Sequence, residues 1–434
     1  MPIISVADYQ LAHQTFVKHG DDFFDRISFG KLDDLTRGGA YGLLFTGGDL
    51  AREHRRFGLR VFREFGVGKS LIQEKILEET SILLSKIDTI CGIPNIDLVP
   101  FTDIAVGSII NLLMFGYRYT EGGREEEFYK MKKQATDLER HALHPVIGLW
   151  IVFDFIHKVP FCKRPCETVV KCFREMLDDI QTKIEEHKVR LRSGSCTKAA
   201  DYVDAYLMER EKREATGEDT SLYSDLQLQS ICADFWSAGQ VTTSATISWC
   251  IAFLIHNPKV QDTVGEELYR VIGRDRMVAM TDKNSLPYTN AVIAEVQRRT
   301  NLVAENLFRT ASRDCEINGY QIKKGQVVLP QVSVLLEDPE VFQNPKVFRP
   351  ERFIDQNGQY LRSDALLPFG VGKRSCLGEG LARTELFLFL ANLMYRYRFL
   401  PGDDLPVLEK HENGGAFPIT PYRCKVIRRT ASAA

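Results

Sequence analysis

The residues best placed to do chemistry lie near the C-terminal end, in the run Phe369-Gly-Val-Gly-Lys-Arg-Ser-Cys376-Leu-Gly378. Its glycines permit a tight, partly left-handed loop, and a helical pattern begins just after the cysteine. A thiol at that place meets free backbone N–H groups and the positive end of a helix dipole, and Arg374 adds charge two residues earlier. These neighbours favour thiolate over thiol, the form a metal ligand must take. Small residues around the sulfur also leave room for a flat macrocycle to approach the backbone. The remaining cysteines are too sparse for a disulfide scaffold. Cys172, Cys232 and Cys250 fall in helical patterns where a reduced, buried thiol is expected. Cys162, Cys166 and Cys172 lack the CxxC spacing of a zinc site. Gly68-Lys69-Ser70 ends like a phosphate-binding loop, but Arg63 stands where the first glycine belongs and no strand precedes it.

The elements that must hold this loop are mostly helical. A strand over Ile3 to Val6 leads into an amphipathic helix ending near Lys18. From about residue 49 to 255 helical patterns dominate, with breaks expected at Gly92–Pro94, Glu121–Arg124, Pro160–Pro165 and Arg210–Thr220. Asp201 and Ser224 read as helix caps, and Asp225 to His256 forms one apolar helix of ~48 Å, stopped by Asn257-Pro258. Asn318-Gly319 separates two strand-like runs, a hairpin signal. A last long helix spans about Leu377 to Tyr397, and the final residues alternate like a small sheet. The 434 residues show no linker between autonomous domains, so the expectation is one large, mainly α domain with small β-sheets over residues 1–434. A net charge of −2 gives no bulk field for nucleic acid. No apolar run approaches the ~18–20 residues of a membrane span, the longest being Val146 to Phe153.

The spacing F-x-x-G-x-R-x-C-x-G, from Phe369 through Arg374 and Cys376 to Gly378, resembles the haem-binding loop of the cytochrome P-450 family. Glu295-Val-Gln-Arg298 looks like the family's ExxR helix, and Arg352 in Pro350-Glu-Arg352-Phe353 would complete its Glu–Arg–Arg network. Arg298 and Arg352 precede Cys376 by 78 and 24 residues, in the family's order. The resemblance implies the P-450 fold, a long central helix crossing the haem, haem b (iron protoporphyrin IX) as cofactor, and Cys376 as axial ligand. It places Ala238, Gly239 and Thr242 on the distal face, where Gly239 would let the helix open and Thr242 could bond the freed carbonyl. The usual acid before the threonine is Val241 here, which would slow proton delivery and cause uncoupling. Arg26, Arg55, Arg309 and Arg374 would hold the propionates, with Ala51 replacing the tryptophan that normally assists Arg55. The loop before Arg309 lacks the family's prolines, having Ala304 and Phe308.

Likeness to the microsomal family 2 branch of animals runs through the chain, as in Asp201-Tyr-Val-Asp-Ala-Tyr206. It implies a monooxygenase inserting one atom of O2 into lipophilic small molecules, with NADPH electrons from a flavoprotein reductase and a b-type cytochrome as a second donor. The pocket would include Phe235, Leu302, Val303, Phe308 and Phe417, with Glu305 as a polar anchor. Arg52, Arg56, Arg60 and Arg63, with Lys373 near them, would form the reductase-docking face. Relatives begin with a membrane anchor, a hinge, a first helix and a first strand, all expected to be absent here. The expected location is the cytosolic face of the endoplasmic reticulum membrane, helped by a membrane-dipping stretch from Val146 to Pro160. Val241 also fits a reductase-independent isomerase or dehydratase, and together with Ala51 a catalytically impaired haem protein.

Overall fold

Helix caps and breakers in the sequence set most element boundaries. The computed structural model describes residues 2–68, 70–194, 197–273, 276–409 and 419–429. Its helices are α1 Tyr9–His13 (continued by a π-turn through Lys18), α2 Lys31–Arg37, α3 Gly48–Glu64, α4 Ser70–Ile90, α5 Val99–Phe115, α6 Glu125–Ala142 and α7 Pro145–Val152. They continue as α8 Pro160–Arg192, α9 Tyr202–Thr216, α10 Asp225–His256, α11 Pro258–Ile272, α12 Pro287–Thr300, α13 Val332–Leu336 and α14 Glu379–Arg396. Asp201 accepts from the Asp204 N–H and Ser224 from the Gln227 N–H, so both expected caps form. The hairpin at Asn318-Gly319 also forms, joining β4 Cys315–Ile317 to β5 Tyr320–Ile322.

Two expected breaks are shorter than the sequence suggests. α8 starts at Pro160 and runs through Pro165, because a proline this near the N-terminus spoils a single bond in a turn that lies at the surface. α9 continues through Arg210 to Thr216, supported by Glu209–Arg213 and Arg210–Glu214 pairs, and ends where Gly217 adopts φ +71°. The polar composition was therefore a solvated helix face. α10 is long and apolar enough to cross a membrane by length and composition, although interspersed polar residues hide this from a run count. Some 72% of its most apolar window is buried inside the protein, so it serves as the core helix.

α4, α5, α10 and α14 surround the main core. α5 is apolar on nearly every side and lies against α10. Two small sheets flank this core. β1 Ile3–Val6 runs parallel to β6 Val327–Pro330, which pairs antiparallel with β3 Arg309–Thr310, itself antiparallel to β2 Asp25–Arg26. In that register Arg26 stands directly opposite Arg309. β7 Tyr397–Pro401 pairs with β8 Cys424–Arg428.

Candidate active site

The loop before α14 is closed by Cys376 N–H donating to the Phe369 carbonyl at 2.9 Å and by Ser375 N–H donating to Gly372. Gly370 and Gly372 have φ +76° and +74°. A Cβ on Gly372 would sit 1.8 Å from the Phe16 carbonyl oxygen, so only glycine fits there. Cys376 is accessible to solvent, although protein surrounds its sulfur. Its thiol is pushed up by burial; hydrogen bonds from the Gly378 and Glu379 N–H groups, together with Arg55, pull the other way without winning. Burial and the N–H groups at the start of α14 thus act on this sulfur in opposite directions. A thiolate here calls for a cation against the sulfur, as a metal-ligand cysteine has. Arg374 is not the neighbour that acts on the sulfur. Its guanidinium donates to the carbonyls of Thr46, Leu43 and Leu44 at 2.9, 3.0 and 3.3 Å.

Arg26, Arg55, Arg309 and Arg374 form a cluster of like charges, each held down by burial first and three of them by one another next. Arg309 and Arg374 are each lowered to about 9. Their hydrogen-bond partners are carbonyls: Leu307 and Phe308 for Arg26, Ser375 for Arg55, Val371 for Arg309. Arg26 Nε, Arg309 Nε and Nη1, and Arg374 Nε are buried without a partner among the described residues. Like charges set opposite each other in a strand pair, with orphaned donors, are stable only if an anion joins them. A dianionic group that also meets a cysteine sulfur fits this donor set, and haem with its two propionates is such a group.

On α10, Thr242 Oγ1 donates to the Ala238 carbonyl at 2.8 Å. The helix does not open at Gly239. α10 is continuous there, and the missing side chain instead admits α5: a Cβ on Gly239 would lie 2.5 Å from Ile110 Cδ1. Phe235 is half-buried, and its ring packs on Phe62 and Tyr202 with centroids 5.0 and 5.3 Å apart. Leu302, Val303 and Phe308 lie half-buried in the loop that feeds Arg26, whereas Glu305 is exposed. Phe417 falls outside the described residues.

Glu295 is fully buried and takes both Arg298 Nε and Nη2, at 2.8 and 2.9 Å, with Arg352 Nε at 3.0 Å and the Arg349 N–H at 2.9 Å. Arg298 also donates to the carbonyls of Leu336 and Pro345, tying α12 to the segment before the cysteine loop. Asp234 was missed by sequence reasoning. It pairs with Arg37 at 2.9 Å and accepts from the Leu43 and Leu44 N–H groups, while Gln227 clasps Gly42 through its N–H and carbonyl. This clasp holds the carbonyls that receive Arg374. The available signal was spacing: Asp234, Ala238 and Thr242 recur every four residues on one face of α10.

On α3, Arg52 pairs with Asp21, Arg56 with Glu53 and Arg60 with Glu209, and Lys373 joins Arg52 at Asp21. Leu149, Val152, Phe153, Phe155 and Phe161 are exposed around α7, while Ile147 and Trp150 are buried.

A cysteine loop joined to a cluster of buried arginines that await an anion has the donor set of a haem-thiolate protein. The model of the family described as Cytochrome P450 matches residues 1–426. Cytochrome P450 2K1 of Oncorhynchus mykiss is 33% identical over 407 residues, 92% of this chain and 77% of the relative. Cytochrome P450 2C16 of Oryctolagus cuniculus is 32% identical over 400 residues, covering 92% and 78%, and Cytochrome P450 2A10 of the same species is 32% identical over 423, covering 96% and 83%. The chain belongs to the cytochrome P450 family. It is a monooxygenase with haem b as cofactor and a cysteine thiolate as its protein ligand, acting on lipophilic small molecules with O2 and electrons from a redox partner. Nothing in the comparisons points to the isomerase or to an impaired protein.

Proposed function

We propose that Cys376 is the axial ligand and that Arg26, Arg55, Arg309 and Arg374 hold the two propionates. The observation that carries this is the arginine cluster itself: its hydrogen bonds go to carbonyls, Arg26, Arg309 and Arg374 keep buried N–H groups without a partner among the described residues, and Arg55 acts on the Cys376 sulfur. When bound, haem supplies the activation of O2, for which thiolate ligation is suited. Thr242 Oγ1 passes a proton toward the distal side, and Ala238 beside it keeps the approach open. Val241 leaves that hydroxyl without a neighbouring acid, so proton supply falls to Thr242 and water. Leu302, Val303 and Phe308 offer apolar surface to a lipophilic substrate of xenobiotic, steroid or fatty-acid type, and water is excluded on the same account. Glu295, Arg298 and Arg352 position the cysteine loop and touch no reactant. Electrons come from NADPH through a flavoprotein reductase docked on the α3 face at Arg52, Arg56, Arg60 and Arg63, with a b-type cytochrome as a second donor. The exposed apolar side chains around α7 support residence at the cytosolic face of the endoplasmic reticulum membrane. The test is the reduced carbon-monoxide difference spectrum. Wild type is expected to show the thiolate–haem band and Cys376→Ser to lose it. A colourless wild type supplied with haem, or an unchanged band in the variant, sinks the assignment.

A further inference from the structure

On the α3 side of the cysteine loop a file of aromatic rings leads away from the site. A Cβ on Gly58 would lie 3.4 Å from Phe235 Cζ and 3.8 Å from Leu377 Cδ1, so Phe235 and the residue after Cys376 meet over one patch of backbone. From Phe235 the ring of Tyr202 is 5.3 Å away, and Tyr202 reaches Phe57 at 5.7 Å. Phe57 reaches Tyr206 and Tyr223 at 6.0 and 5.8 Å, and those two rings are 5.1 Å apart. All three tyrosines are almost completely buried.

Their hydroxyls differ in a way that packing does not explain. Tyr202 Oη is buried with no hydrogen-bond partner among the described residues. A phenylalanine would fill the same space without that desolvation cost, so the phenol oxygen is a liability to the fold. Tyr206 Oη donates to the Ser224 carbonyl at 3.0 Å, which cannot accept a proton outright. Tyr223 Oη donates to Glu53 Oε1 at 2.8 Å, and Arg213 holds that carboxylate at 2.9 Å while lying 4.5 Å over the Tyr223 ring. Of these three phenols, only Tyr223 faces a base.

We propose that Tyr202, Tyr206 and Tyr223 form a redox chain that drains an oxidising equivalent from the haem site when no substrate takes it, the radical coming to rest on Tyr223. The chain rests on the reading of Cys376 as haem ligand. Hydrogen peroxide, or O2 with two electrons from the redox partner, leaves the haem site two electrons short once the O–O bond has broken and water has left. One electron passes from Tyr202 by way of Phe235 to that site, and Tyr206 and Tyr223 refill Tyr202 in turn. Tyr223 ends as a neutral phenoxyl, its proton moved across the hydrogen bond to Glu53, and the haem site remains one electron short. A one-electron donor such as ascorbate then restores Tyr223, which takes its proton back from Glu53.

The experiment uses the full-length, substrate-free holoprotein mixed with hydrogen peroxide, frozen, and read by electron paramagnetic resonance, with loss of Soret absorbance followed in parallel. Wild type is expected to give a tyrosyl signal. Tyr223→Phe should lose or relocate it, and the triple variant Tyr202→Phe/Tyr206→Phe/Tyr223→Phe should lose it and bleach its haem several-fold faster. Tyr202→Phe removes only the unpartnered oxygen, so it folds at least as well as wild type and should still cut the radical yield several-fold. An unchanged radical yield in the triple or the Tyr202 variant would overturn the chain, as would a wild type that bleaches without any tyrosyl signal. A wild type lacking the thiolate–haem band overturns the haem assignment and the chain with it. A protein with the band but no chain-dependent radical overturns the chain alone.

Discussion

Replacing Asp234 by asparagine tests how the loop that receives Arg374 is held. Asp234 Oδ1 accepts from Arg37 Nη2 at 2.9 Å, and Oδ2 accepts from the Leu43 and Leu44 N–H groups at 2.6 and 2.9 Å. The two side chains of the ion pair are 6% and 3% exposed, so solvent screens little of it. Asparagine keeps the shape and one oxygen. Whichever way its amide turns, an NH2 faces either the guanidinium or two backbone N–H groups. Breaking one side of a buried pair costs ~3–5 kcal/mol. Arg37 keeps the Tyr41 carbonyl at 2.8 Å and the Phe173 ring at 4.8 Å, which places the loss at the lower end. The expected destabilisation is therefore about 3 kcal/mol, or roughly two decades in the folding equilibrium. Urea unfolding followed by fluorescence of the buried tryptophans measures it, with the midpoint falling at constant slope. Because the Leu43, Leu44 and Thr46 carbonyls receive Arg374, haem loss should also quicken. Arg37→Met and the double variant complete a cycle whose coupling should exceed ~1.5 kcal/mol. Stability within ~0.5 kcal/mol of wild type, or strict additivity in the cycle, would refute the clasp.

Arg309→Met should leave the haem-free protein at least as stable as wild type, since it removes a cation set against Arg26 and Arg374, yet should speed haem transfer to an acceptor protein. A haem-free variant weaker by ~2 kcal/mol or more would contradict the anion cage. His187 is buried; burial alone would lower it, but the Asp201 carboxylate and the Lys183 carbonyl raise it overall. A base raised above its unfolded value near 6.5 contributes fully below that pH and loses the contribution as pH rises through the folded value. His187→Gln should therefore cost stability at about pH 5.5 and little well above the raised value; a wild-type-minus-variant difference flat with pH would exclude this. Val241→Glu should raise the product formed per NADPH consumed, and equal, tight coupling in both proteins would show that Thr242 and water suffice.

The cysteine loop, the ExxR pair and the caps at Asp201 and Ser224 were legible because each rests on a short-range rule: a glycine at positive φ, side chains three residues apart on a helix, an oxygen that satisfies a free N–H. The four arginines could be named only by resemblance, since nothing local says that residues 26, 55, 309 and 374 meet. Strand pairing brings Arg26 opposite Arg309, and α3 and the cysteine loop deliver the other two. The error at Gly239 has the same origin: it lies on the expected helix, but whether a residue on α10 opens the helix or admits a neighbour depends on what α5 places against it. Arg374 stands two residues from the sulfur in the chain yet reaches three loop carbonyls instead, while Arg55, far away in sequence, supplies the charge beside Cys376. The sequence by itself determined which atoms are available and which turns and helices carry them. Tertiary structure alone decided their electrostatic partners, because Coulomb and desolvation energies depend on distance and burial, which separation along the chain does not record.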